Sequence, residues 1–173
     1  MNVLVAAASK YGATAEIAAA VAQNLRDRGY AVALLPIDAV DSVEGYDAVV
    51  LGSAVYMGRW RSSAREMVAD RAADLRKRPV WLFSSGPTGE VARPAEDPVD
   101  VKEIILLTNA RGHRLFAGRL ERGRLGFADR AVVMALRAAD GDFRDWSDIK
   151  SWTDEIADAL AVGTAPKHAV AHG

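Results

Sequence analysis

The chain has 173 residues, half of them hydrophobic, a formal net charge of -1 and no cysteine. That length buries one sizeable core and would crowd two, so one domain is expected. Near-balanced charge gives no general attraction to nucleic acid, and the missing cysteines exclude disulfides, thiolate nucleophiles, iron–sulfur clusters and cysteine-ligated zinc. Charged residues also interrupt every apolar run well short of the roughly 20 residues that span a bilayer. No basic region precedes the first apolar stretch, as one would in a signal peptide, so the expected location is cytoplasmic.

Strand-like and helix-like patterns alternate along the sequence. Val3 to Ala7 predicts a strand buried on both faces, followed by a helix with Ile17, Val21 and Leu25 on one stripe and Gly29 at its end. "YAVALLPI" and "DAVVLGS" predict the second and third strands. Ser63 and Glu66 have capping-box spacing ahead of a helix through Met67, Val68, Ala72 and Leu75. "PVWLFSS" predicts the fourth strand, and Asp97–Pro98 predicts a helix start, with Val101, Ile104 and Ile105 inward and Gly112 beyond the end. "HRLFAG" predicts the fifth strand, and "DWSDIKSWTDEIADAL" a last helix through Trp152, Ile156 and Leu160. Such alternation predicts an α/β fold, a parallel sheet with helices on both faces, whose ligands bind beyond the carboxyl ends of the strands. Residues 1–162 form this domain, and 163–173 are expected to be a flexible tail.

Small and polar residues gather at those strand ends. After the first strand, "ASKYGAT" offers two hydroxyls, a lysine and a glycine where a helix presents unpaired N–H groups, which suits a phosphate or a plain helix cap. After the third, "GSAVYMGRW" sets Tyr56 and Trp60 beside glycines, either to stack on a planar ring or to pack against helices. After the fourth, "SSGPTG" suits a ring edge or a turn. The sequence lacks the G-x-x-x-x-G-K-[ST], G-x-G-x-x-G and G-x-S-x-G motifs, and the acidic residues that a phospho-receiver domain needs to hold magnesium are absent from the ends of the first and third strands. His113 opens a strand and is expected to be structural; His168 and His172 lie in the tail, and no metal site is expected.

Taken together, "SKYGAT", "GSAVYMGRW" and "SSGP" resemble the three FMN-contacting loops of the flavodoxin-like family. "GSAVYMGRW" and the late "GDFRDWSDIKSW" are similar, more narrowly, to the flavodoxin-domain group that includes quinone-dependent protoporphyrinogen dehydrogenase. The resemblance implies a flavodoxin-like doubly wound sheet of five parallel strands in the order 2-1-3-4-5, with helices on both faces. It assigns the FMN phosphate to Ser9, Lys10, Tyr11, Gly12, Ala13 and Thr14. The flavin ring would lie between Ser53, Ala54, Val55, Tyr56, Met57 and Gly58 on one side and Ser84, Ser85, Gly86, Pro87 and Thr88 on the other. Arg59, Trp60 and Arg61 would meet substrate, and no side chain is assigned as catalytic.

The implied function is an FMN-dependent oxidoreductase acting on protoporphyrinogen or a quinone. An electron carrier between protein partners and a binding domain that has lost its flavin are the alternatives. Between Arg111 and Arg137 the arginines 111, 114, 119, 122, 124, 130 and 137 face only two acids, Glu121 and Asp129. That density suits a carboxylate-bearing substrate, peripheral contact with an anionic membrane, or an ordinary solvated surface.

Overall fold

The computed structural model describes residues 1–86, 97–135 and 141–164. Five strands run parallel through it: β1 (Asn2–Ala8), β2 (Ala31–Pro36), β3 (Ala48–Tyr56), β5 (Val80–Gly86) and β6 (Gly112–Ala117). Their order is β2-β1-β3-β5-β6, which is the expected 2-1-3-4-5 once the short β4 (Arg59–Trp60) is counted. β4 pairs antiparallel with the end of β3 across a two-residue turn at Met57 and Gly58, both with positive φ. Backbone twist of that hand matches the flanking strands, and glycine takes it without strain.

Helices α1 (Ala13–Asp27) and α5 (Trp146–Thr164) cover one face of the sheet. The other is covered by α2 (Ser62–Leu75) and α3 (Val101–Thr108). β1 sits between β2 and β3 with a helix layer on each side, so its residues are apolar without alternation. Val3, Val5 and Ala7 pack with α1 and α5, while Leu4, Ala6 and Ala8 pack with Trp60 and α2. Gly52 and Phe83 are direct partners across β3 and β5, and a Cβ on Gly52 would lie only 2.0 Å from the Phe83 ring. That absent side chain seats the ring, whose centroid lies 6.0 Å from those of Phe116 and Trp152.

The helix starts differ from the sequence expectation. No capping box forms at Ser63, because α2 begins at Ser62 behind Arg61 and carries no side-chain cap. α3 begins at Val101 rather than at Asp97–Pro98, and the Asp100 carboxylate at its start is turned to the Trp60 backbone N–H at 3.0 Å. The connection from β6 to α5, for which the sequence predicts no element, contains β7 (Arg119–Leu120), α4 (Phe127–Ala135) and β8 (Gly141–Asp142), with β7 and β8 paired antiparallel. α5 continues to Thr164; residues 165–173 of the tail, with His168 and His172, lie outside the described residues, as do Pro87, Thr88 and Arg137.

Candidate functional site

The strand order reverses direction at β1 and β3, where the chain leaves β1 for one face and β3 for the other. Ligands of such sheets bind in the crevice this creates. The first loop enters it from β1. Gly12 stands immediately before α1 at φ +92, a conformation that strains any residue with a Cβ. Its N–H donates to Ser9 Oγ at 3.1 Å, and the first backbone bond of the helix is from Glu16 to Gly12. The N–H groups of Ala13, Thr14 and Ala15 have no hydrogen-bond acceptor among the described residues. Thr14 is 2% exposed, and its hydroxyl likewise has no partner there. A buried polar group without a partner costs about 1 to 3 kcal/mol. Three free amides and the positive end of a helix dipole therefore make the start of α1 a place that suits an anion, and the orphaned Thr14 hydroxyl belongs to the same turn.

The side chains of Lys10 and Tyr11 both turn to Asp129 of α4. Lys10 Nζ lies 2.5 Å from Asp129 Oδ2, the Tyr11 hydroxyl donates to the same oxygen, and the Gly126 N–H donates to the Tyr11 hydroxyl at 3.2 Å. Tyr56 lies on the same side and also helps to hold this carboxyl down. Chiefly through Lys10, then Tyr11, the Asp129 carboxyl is held down to about 2, and the same contact raises the Lys10 ammonium. The ammonium lies 4.9 Å from the centroid of the Tyr56 ring, so α4 ties the first loop to the second. Behind the loop, Glu16 bonds Arg119 at 2.9 Å and the buried Arg144 at 2.7 Å. Arg144 also bonds Asp142 at 2.6 Å and stacks 4.5 Å from the Trp146 ring. These bonds draw the Glu16 carboxyl below its usual range, Arg144 contributing most.

The second loop divides by burial. Tyr56, Met57, Gly58 and Arg59 are exposed and Ala54 and Val55 partly so, whereas Ser53 is buried, its hydroxyl donating to the Ala54 carbonyl and accepting from the Arg61 N–H. Trp60, which the resemblance set toward a substrate, is 2% exposed: its side chain packs in the core and its indole N–H bonds Ser84 Oγ at 2.7 Å. Arg61 also parts from Arg59. It lines a cavity of about 360 Å³ with Ser9, Pro36, Asp38 and Ser63, on the β2 side of β1.

In the third loop the Ser84 hydroxyl is fully buried and held by Trp60 and His113. Ser85 is 5% exposed with no hydroxyl partner among the described residues, and Gly86 lies so close to Gly118 that a Cβ there would be 2.5 Å from the Gly86 carbonyl.

The arginine-rich segment is less positive than its local sequence suggests, because the fold brings acids to it from α1 and α5. Arg114 pairs with Asp148 and Glu155, Arg119 with Glu16 and Glu121, and Arg124 with Glu121, while Arg111 stacks on Trp81. What stays open is one face of α4, with Phe127, Arg130 and Met134 exposed. No group of three or more potential metal ligands occurs among the described residues. No described helix is long and apolar enough to cross a membrane. Asp129 and Arg144 are the site residues that sequence reasoning misses; "GDFRDW" contains Arg144, but only the fold shows that it reaches Glu16.

Comparison with known proteins agrees with this fold. Over 91% of this chain and 95% of the relative, it is 25% identical to the protoporphyrinogen IX dehydrogenase [quinone] of Escherichia coli K12. It superimposes on a flavodoxin from the domain Archaea with a TM-score of 0.64, at 15% identity over 93% of this chain and 99% of that one. The rubredoxin oxygen:oxidoreductase of Desulfovibrio gigas superimposes with a TM-score of 0.66, at 16% identity over 95% of this chain and 37% of that one. The flavodoxin domain model matches residues 4–147, and the chain belongs to that flavin-binding family.

Proposed function

We propose that the chain binds FMN through its first loop and works as an FMN-dependent oxidoreductase. The observation that carries this reading is the orphaned Thr14 hydroxyl beside the free amides of Ala13, Thr14 and Ala15, a donor set that matches one terminal phosphate. When bound, the flavin supplies the electron and hydride chemistry. The protein's part is to hold the phosphate, to place the ring between the Tyr56–Gly58 turn and the Ser84–Gly86 strand end, and to limit access to it. Lys10 lends charge while Asp129 fixes its position.

The substrate reading is protoporphyrinogen, with a quinone as electron acceptor. Support comes from the Escherichia coli relative and from Arg59, an exposed guanidinium beside the Tyr56 end of the site that suits a carboxylate. Peripheral contact with an anionic membrane would use the open face of α4. Absorbance of the purified protein, with and without added FMN, tests the cofactor. Turnover of a porphyrinogen with a quinone, set against electron transfer only to a partner protein, separates the enzyme from a carrier.

A further inference from the structure

A hydrogen-bonded chain, buried up to its last carboxylate, runs behind the second and third loops. Trp60 Nε1–H donates to Ser84 Oγ at 2.7 Å, Ser84 Oγ lies 2.7 Å from His113 Nε2, and His113 Nδ1 lies 3.3 Å from Asp97. These four residues come from β4, β5, β6 and the segment that leads into α3. The same segment is fixed to the β3–β4 hairpin by two bonds, from Val99 N–H to the Gly58 carbonyl at 3.0 Å and from Trp60 N–H to Asp100 at 3.0 Å.

The direction of each bond follows from the donor inventory. An indole N–H can only donate, so Ser84 Oγ accepts from Trp60 and its own hydrogen is free for the imidazole. The Asp97 carboxylate can only accept, so Nδ1 carries the proton that faces it, and with no second proton on the ring Nε2 accepts from Ser84. This is the neutral ring. A second proton placed on Nε2 would meet the Ser84 hydrogen, which would have to turn away inside a site where Ser84 has no solvent exposure.

We infer that His113 is a positioning residue for the Ser84 end of β5, and that it holds the flavin-facing strand end in place only in its neutral form. The inference rests on the flavin reading above. Charged groups on the packed elements agree with a neutral ring. Asp97 is exposed and close; Asp100 is engaged by Trp60 and lies 3.8 Å from Arg65; Lys102 and Glu103 of α3 point to solvent. Burial pushes the His113 ring below its ordinary value of 6.5, against a smaller upward pull from Asp97. A group lowered in this way favours the native arrangement at higher pH and loses it as protons are taken up.

The test compares wild type, His113→Gln and His113→Leu from pH 5 to 8. The Gln amide oxygen can accept from Ser84 without titrating; Leu cannot accept. Riboflavin is the main probe, since the FMN phosphate itself ionises near pH 6. Wild type should lose riboflavin affinity toward the acid end of that range, below the ordinary imidazole value, by up to about tenfold per pH unit for one linked proton. His113→Gln should keep a flat profile, and His113→Leu should bind weakly throughout. A flat wild-type profile, or the same slope in His113→Gln, overturns the inference. Hydrogen exchange at the Trp60 indole N–H, measured in flavin-free protein as protection relative to free tryptophan, keeps the two readings apart. If protection falls with pH in wild type but not in His113→Gln while no flavin binds, the flavin reading fails and the positioning role stands. Protection that does not respond to pH refutes the role itself.

Discussion

Arg144 Nη1 donates to Glu16 Oε2 at 2.7 Å, and the two residues lie 128 positions apart in the chain. The guanidinium is almost wholly buried, forked onto Asp142 and stacked on Trp146, so it joins the start of α1 to the start of α5. Arg144→Ala should lower stability by about 2 to 3 kcal/mol, the range for hydrogen bonds to charged groups, seen as a fall in melting temperature. Arg144→Lys should recover little, since an ammonium cannot make the planar fork.

Thr14→Val separates the cofactor from the fold. The Thr14 hydroxyl has no partner among the described residues, so a near-isosteric methyl should leave the flavin-free protein as stable as before or slightly more so. FMN binding should nevertheless weaken by about 1 to 3 kcal/mol. Riboflavin, which lacks the phosphate, should bind both forms alike. Equal losses for both flavins would mean that the hydroxyl does not face the phosphate.

Asp129 supplies a pH-dependent anchor. Its folded-state carboxyl is held at about 2, so it stabilises the native state fully above its ordinary range near 4, and this contribution is lost as pH falls from about 4 toward about 2. Asp129→Asn should cost about 1 to 2 kcal/mol at pH 7, and the gap to wild type should close over that acidic window. Paired thermal melts at pH 7 and pH 3 measure it.

The layout of the sheet was legible because buried parallel strands have their own signature: Val3 to Ala7 and Val80 to Phe83 are apolar without alternation. The three loops followed, since strand ends are where glycines and hydroxyls collect. Other features left no such trace. β4, β7 and β8 are two residues each, too short for any period to show. Trp60 reads as a loop aromatic until the hairpin turn at Met57–Gly58 folds it inward. Counting acids between Arg111 and Arg137 could not find Glu16, Asp148 or Glu155, because those carboxylates arrive from α1 and α5.

Arg59 and Arg61, adjacent in the sequence to one tryptophan, should behave differently. Arg59→Gln removes an exposed charge at the Tyr56 end of the site and should raise KM for a carboxylate-bearing substrate, with kcat changing less. Arg61→Gln alters the cavity beside Asp38 and should leave that KM unchanged. Steady-state kinetics of the two single variants decide the matter, and equal effects would place both residues at one site.

Met57 holds a left-handed conformation, φ +52, in a turn where its side chain is 75% exposed. Met57→Gly should relieve that backbone and, net of the added freedom of the unfolded chain, raise stability by about 0.5 to 1 kcal/mol. A flavin that uses the methionine as cover should then show altered absorbance or fluorescence. An unchanged spectrum would place Met57 away from the ring.

The connection from β6 to α5 bears on how the protein is made. Lys10 waits for a carboxylate 119 residues later, and Glu16 for a guanidinium later still. Early in synthesis β1, α1 and β2 can associate, but the loop between them has no α4 to fasten Lys10 and Tyr11. Contacts of such sequence separation form late, after long loops have closed. A ribosome-bound nascent chain that stops before α4, at residue 126, should therefore hold flavin poorly, and cofactor loading should follow release of the α4 segment rather than accompany growth of the sheet.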